Sequence, residues 1–147
     1  MHPYPHLYQV TATGAASGPV AVDASGLPTL DTAPPPEFDG PGGKWSPETL
    51  LCAAVADCFI LTFRAVSRAA GFAWSRLECR VDGTLERAAG NSQFTRYATI
   101  ATLTVPVGAD VDKARALLER AEHGCLVANS LKGVRTLEAH VSIQGTV

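Results

Sequence analysis

The sequence predicts an α+β fold: mostly antiparallel strands around one long central helix that carries a cysteine. Three observations point there. Residues 46–70 combine a helix-capping start with apolar residues at three-and-four spacing. Strand-like alternation follows on the C-terminal side of that segment, and eight of the ten prolines precede Lys44, which disfavours helix in the first third. Residues 1–147 read as a single domain, because a chain of this length with 46% hydrophobic residues can bury one compact core.

The first third is expected to hold short strands and turns. Residues 7–13 and 19–22 read as the strands of a hairpin, with 14–18 as its turn. The run Ala-Pro-Pro-Pro-Glu-Phe-Asp-Gly-Pro-Gly-Gly-Lys over residues 33–44 holds no regular pattern. A loop of this length is either a solvated connector or a lid or binding loop. Phe38 and Trp45 flank it and, with Phe59, read either as walls of an apolar pocket or as packing anchors.

The long helix begins at Ser46, whose hydroxyl can cap it, with Pro47 in the first turn and Glu48 near the positive end of the helix dipole. Gly71 ends it. Leu51, Ala54, Val55, Cys58, Phe59, Thr62 and Val66 form one wide apolar face, and Asp57, Arg64 and Arg68 mark a polar side. Beyond it, Leu77, Cys79, Val81 and Leu85 alternate with Glu78, Arg80, Asp82 and Glu86, as in a strand with one face on a core. A second strand is expected over 94–105, with Asn91-Ser92-Gln93 as the turn before it. Asp110 or Asp112 starts an amphipathic helix through Leu117, Leu118 and Ala121 that Gly124 terminates. A short helical turn over 127–131 and a last alternating strand over 137–143 complete the order.

Composition narrows the function. Twelve basic residues against fourteen acidic ones give a net charge of -2, without the basic excess that binding to a phosphate backbone needs, so nucleic acid is not an expected partner. The longest apolar stretch, 50–63, contains Asp57 and is shorter than the roughly 20 residues of a membrane-spanning helix, so no membrane partner is expected. Residues 1–10 do not resemble a secretory signal, which points to a cytoplasmic location. Charge is also uneven: residues 1–63 hold six acids and a single base, Lys44, and the first arginine is Arg64.

Four cysteines, Cys52, Cys58, Cys79 and Cys125, are too few and too scattered for a disulfide framework in a chain that can build a core. Cys52 and Cys79 read as small apolar packing residues. Cys52 and Cys58 are separated by roughly 9 Å along a helix and about 240° around it. That is too far for the Cα separation of roughly 4.4 to 6.8 Å that a disulfide requires. Cys58 and Cys125 meet if the second helix packs on the first. A sulfenic acid on one is then captured by the other and returned to the thiol by an external dithiol; the alternative is a pair of inert core thiols. Zinc ligation by His123, Cys125 and Cys58 lacks any CxxC or HxxxH spacing, so no metal is assigned.

The stretch Ser46-Pro47-Glu48-Thr49-Leu50-Leu51, then Ala56-Asp57-Cys58-Phe59, then Gly124-Cys125-Leu126-Val127-Ala128-Asn129-Ser130-Leu131 resembles the osmotically inducible protein C and organic hydroperoxide resistance family (OsmC/Ohr). The resemblance covers almost the whole chain in element order and cysteine spacing. It implies an intertwined homodimer with the two cysteine helices at its centre and active sites at the subunit interface. It also implies thiol peroxidase chemistry on organic hydroperoxides, without a cofactor, with re-reduction by dithiols such as protein-bound lipoyl groups. By position, Cys58 resembles the peroxidatic thiol, Cys125 the resolving thiol and Glu48 the acid that orients the site. Glu48 precedes Cys58 by ten residues, roughly 15 Å along one helix, so a contribution from Glu48 to this site has to come from the partner subunit.

The sequence departs from the family pattern in two places. Family peroxidases pair the thiolate with an arginine from the N-terminal region or the loop before the long helix, and a cationic neighbour is what makes a thiol ionise near neutrality. Here that region has no arginine, Glu37 lies near one variant of its position, and the cations left to support a thiolate or substrate are Lys44, Arg64 and Arg68. Leu126 also stands where the family often has proline. The reading is therefore a peroxidase of an OsmC-like subgroup lacking the upstream arginine. The competing readings are a non-catalytic dimer of the same type that binds a small apolar ligand or senses oxidants, and a simple structural dimer.

Overall fold

The computed structural model describes residues 1–145. The chain forms two compact units, Met1–Leu50 and Leu51–Val147, whose border falls in the first turn of the long helix.

The first unit is a small antiparallel sheet of β1 (Thr11–Thr13), β2 (Val20–Asp23) and β3 (Leu30–Thr32), in that order. Pairing of Ala12 with Val22 and of Ala21 with Asp31 sets the register. β1 is shorter than the sequence suggests, and β3, whose position the sequence reading did not name, makes the sheet a small meander. Residues 33–44 are not wholly irregular either, because Pro36–Phe38 form a single 3-10 turn with Pro at its start, where a fixed φ costs nothing. The loop is closed by the Ala33 N–H, which donates to the Trp45 carbonyl at 3.0 Å. Its tightness demands glycine at position 40, where a Cβ would lie 1.7 Å from the Pro34 carbonyl oxygen.

The long helix α1 spans Pro47–Ala69. Ser46 caps it as expected: the Thr49 N–H donates to the Ser46 hydroxyl at 3.2 Å, and the Ser46 N–H donates back to the Thr49 hydroxyl at 2.9 Å. This is the reciprocal arrangement of a capping box, with Thr in the place of the usual Glu or Gln. By length and composition the helix could cross a membrane, with a mean hydropathy of 1.8 over its most apolar window. In this fold its buried face, Val55, Phe59, Phe63 and Ser67, packs on protein, and Ser67 is satisfied by the Trp74 indole N–H at 2.9 Å.

The second unit is built on a sheet of β4 (Arg76–Ala88), β5 (Asn91–Val105) and β6 (Val134–Ile143), ordered β4-β5-β6. β4 and β5 form an antiparallel hairpin whose turn is Ala89-Gly90, both at positive φ. Residues 91–93, read from sequence as the turn, belong to β5 instead. β5 and β6 pair in parallel, an exception to the mostly antiparallel expectation. A parallel pair needs a crossover, and α2 (Val111–Gly124) with the four-residue α3 (Leu126–Asn129) supplies it. Asp110 caps α2, its carboxylate accepting the Lys113 N–H at 2.9 Å.

Two apolar clusters follow from this layering. The larger joins Phe59 and Phe63 of α1, Ala101, Leu103 and Val105 of β5, and Leu117, Leu118 and Ala121 of α2. The smaller contains Val55, Tyr97, Cys125 and Ala128, with Cys58, Val81 and Phe94 against it. The smaller cluster brings Cys58 and Cys125 together.

Candidate functional site

Cys58 lies at the middle of α1, on the side that meets the smaller cluster, and is half-buried. Its thiol is 3.9 Å from the Thr62 hydroxyl one turn on. Cys125 is buried, with 1% exposure, and forms the junction between α2 and α3, as C-cap of one and N-cap of the other. Its backbone φ of -66° and ψ of 101° turn the chain out of one helix and into the next. That turn delivers the sulfur to α1, where it lies 3.9 Å from the Val55 carbonyl, in the same apolar cluster that Cys58 packs against. Two cysteines distant in sequence are thus brought to one cluster.

The electrostatics of the pair are mixed. Burial is the largest influence on Cys125 and pushes its thiol up from the ordinary value. Attraction to the Ala128 backbone works the other way; the nearby Cys58 thiol raises it further, and the Arg135 guanidinium lowers it. Cys79, expected as a packing residue, comes close enough to feel Cys125 electrostatically. Burial first and that neighbour second push its thiol up to about 12. A thiol held neutral is a poor nucleophile. Cys52 sits apart, against Gly83 and Tyr97, and burial raises its thiol before the Gly83 backbone, which lowers it, and Asp82, which raises it.

Arg135 was not singled out by sequence, where it reads as one polar residue at the start of a strand. In the fold its guanidinium donates to the Glu122 carboxylate at 2.7 Å, to the Asn129 side chain at 2.6 Å and to the Glu122 carbonyl. No spacing rule connects a residue of β6 to a helix junction ten positions earlier, so only the tertiary structure reveals it.

The other expected site residues lie elsewhere. In the first unit an apolar groove of about 580 Å³ is lined by Val20, Val22, Pro34, Pro35, Phe38 and Glu48, among others. Glu48 Oε2 is buried and has no hydrogen-bond partner among the described residues. Phe38 therefore lines a cavity as expected. Trp45, 49% exposed, and Phe59, a core residue of the second unit with 1% exposure, are not among the lining residues of this groove. Lys44 pairs with Asp31 at 4.0 Å within the first unit. Arg64 and Arg68 are exposed on α1. Among the described residues no three His, Cys, Asp or Glu side chains are grouped so as to hold a metal ion.

Comparison with known proteins bears on the family and the fold. The chain is 30% identical over 101 residues to the peroxiredoxin OsmC of Escherichia coli, covering 69% of each. Its structure superposes with a TM-score of 0.75 on an organic hydroperoxide resistance protein OsmC from Legionella pneumophila, at 26% identity over 95% of this chain and 99% of that one. An OsmC-like protein of unknown function from Vibrio cholerae shares the fold at a TM-score of 0.84 and 14% identity, over 92% of this chain and 99% of the other. Residues 40–139 match the family model described as OsmC-like protein, and the chain belongs to that family, one associated with hydroperoxide resistance and redox chemistry.

Proposed function

We propose that this protein is a thiol-dependent peroxidase that reduces organic hydroperoxides through Cys58 and Cys125. The observation that carries the reading is that the half-buried Cys58 packs against the cluster holding the buried Cys125, near enough to influence that thiol electrostatically. Cys58 sulfur attacks the terminal peroxide oxygen, the O–O bond breaks, and the alcohol leaves with the proton, giving a sulfenic acid. Cys125 sulfur then bonds to Cys58 sulfur, the S–O bond breaks and water leaves. An external dithiol, a lipoyl group being one such class, restores both thiols by exchange. A reducing compartment such as the cytoplasm, where thiols are kept reduced, is the proposed location of the cycle.

The working form in this proposal is a homodimer. Within the chain only 22% of the most apolar window of α1 is buried, and the first unit holds few buried residues, Thr32, Ala33 and Ser46. A three-stranded sheet of such short strands needs covering to be stable. The unpartnered Glu48 carboxylate, about 15 Å along α1 from Cys58, then serves the partner subunit's site. The second reading, binding of a small apolar ligand without turnover, draws on the apolar groove of the first unit and on the missing upstream arginine.

Counting free thiols after adding an alkyl hydroperoxide to the reduced protein separates the two. The peroxidase loses two thiols rapidly, and Cys58→Ser abolishes the reaction, whereas Cys125→Ser stops it at a trappable sulfenic acid. Slow loss that is equal in all three proteins favours the binding reading. Sedimentation at micromolar concentration is expected to give about twice 15.4 kDa.

A further inference from the structure

Cys125 has no rigid element of its own. It links the last turn of α2 to α3, and a four-residue helix has no independent stability. Within the junction itself, the Cys125 N–H donates to the Glu122 carbonyl at 3.3 Å and its carbonyl accepts the Asn129 N–H at 2.9 Å. What ties the two sides together is Arg135, anchored in β6 opposite Tyr97 of β5. Its Nε donates to Glu122 Oε1 at 2.7 Å, Nη2 reaches the same carboxylate at 2.7 Å and the Glu122 carbonyl, and Nη1 donates to Asn129 Oδ1 at 2.6 Å. Asn129 in turn donates to the His123 carbonyl at 3.0 Å. The ion pair is sheltered, with side-chain exposures of 23% for Arg135 and 17% for Glu122, so it is not the solvent-screened surface kind. Only a planar fork with several donors can hold acceptors on both sides of one residue; an ammonium cannot.

We propose that Arg135 is the positioning residue for Cys125: by clamping Glu122 and Asn129 on either side, its guanidinium fixes the Cys125 sulfur against Cys58 and sets how fast that disulfide closes. The inference rests on the peroxidase reading only for the source of oxidising equivalents. In the closing step the S–S bond forms as the S–O bond of the sulfenic acid breaks, and the oxygen leaves as water with the thiol proton. Loss of the clamp leaves the chemistry intact but lowers the effective concentration of one sulfur at the other.

The test compares wild type, R135Q, R135K and N129A in two reactions, each read by intact-mass spectrometry. One uses cumene hydroperoxide with a 1,3-diketone present to trap sulfenic acid. The other uses diamide, an azo oxidant that takes up the two thiol hydrogens and closes adjacent thiols without any peroxide. R135Q is expected to slow diamide closure about tenfold and to shift the hydroperoxide products by a similar factor from disulfide toward the trapped adduct. R135K, which keeps the charge and loses the fork, falls between, and N129A loses less. Closure at the wild-type rate in R135Q or R135K overturns the clamp, as does a lowered Tm with unchanged closure in the folded protein. Should R135Q fail to fold, R135K and N129A carry the comparison. If hydroperoxide oxidises no variant, wild type included, while diamide gives the predicted order, the peroxidase reading fails and the role of Arg135 stands.

Discussion

Gly83 shows how one missing methyl arranges the second unit near its thiols. A Cβ at this position would lie 2.6 Å from the Cys52 sulfur and 2.9 Å from the Phe94 ring, closer than such atoms approach in real structures. Phe94 in turn stacks on Tyr97 with ring centroids 5.5 Å apart, and Tyr97 belongs to the cluster around Cys125. Gly83→Ala is therefore expected to destabilise the protein by about 1–3 kcal/mol through overpacking. Removing the Cys52 sulfur in the same chain, Gly83→Ala with Cys52→Ala, relieves one of the two clashes and recovers part of the loss. Urea unfolding of the single and double variants measures this; equal losses in both would show that Cys52 is not what Gly83 accommodates.

At the scale of elements, α1 was the most legible part of the sequence because its start signals are local. Ser46, Pro47 and Glu48 announce a helix within three residues, and the observed cap involves residues no further apart than Ser46 and Thr49. Ser46→Ala is expected to cost about 1 kcal/mol, read as a lowered urea midpoint at unchanged m-value. The same locality explains the correct placement of α2 behind Asp110. What failed was non-local. The parallel pairing of β6 with β5 is decided by the crossover through α2 and α3, and β3 is three residues of mixed polarity with no pattern of its own. The site divides in the same way. Cys58 and Cys125 could be named in advance from their spacing and flanking residues. Arg135 and the proximity of Cys79 to Cys125 depend on which strands lie side by side.

For the whole molecule, the buried thiols couple stability to alkaline pH. Cys79 is pushed up to about 12, and Cys125, Cys52 and Tyr97 are also raised, each chiefly by burial. The folded state therefore keeps protons that the unfolded chain releases once pH passes the ordinary thiol value near 9.0. More protons bound in the folded state means that stability falls as pH rises, so the contribution is fully present below pH 9 and lost toward pH 12. Under reducing conditions the urea midpoint is expected to decline above pH 9, and Cys79→Ala to flatten that decline. A decline of the same slope in the variant would show that Cys79 does not carry it.

The proposed function depends on one pair of sulfur atoms. The most direct measurement treats the fully reduced protein with one equivalent of cumene hydroperoxide, quantifies the alcohol formed, and maps every cysteine by peptide mass spectrometry. The account predicts one equivalent of alcohol and one disulfide joining Cys58 to Cys125, with Cys52 and Cys79 recovered as free thiols. Four intact thiols without alcohol, or a disulfide that leaves Cys58 or Cys125 out, would contradict it.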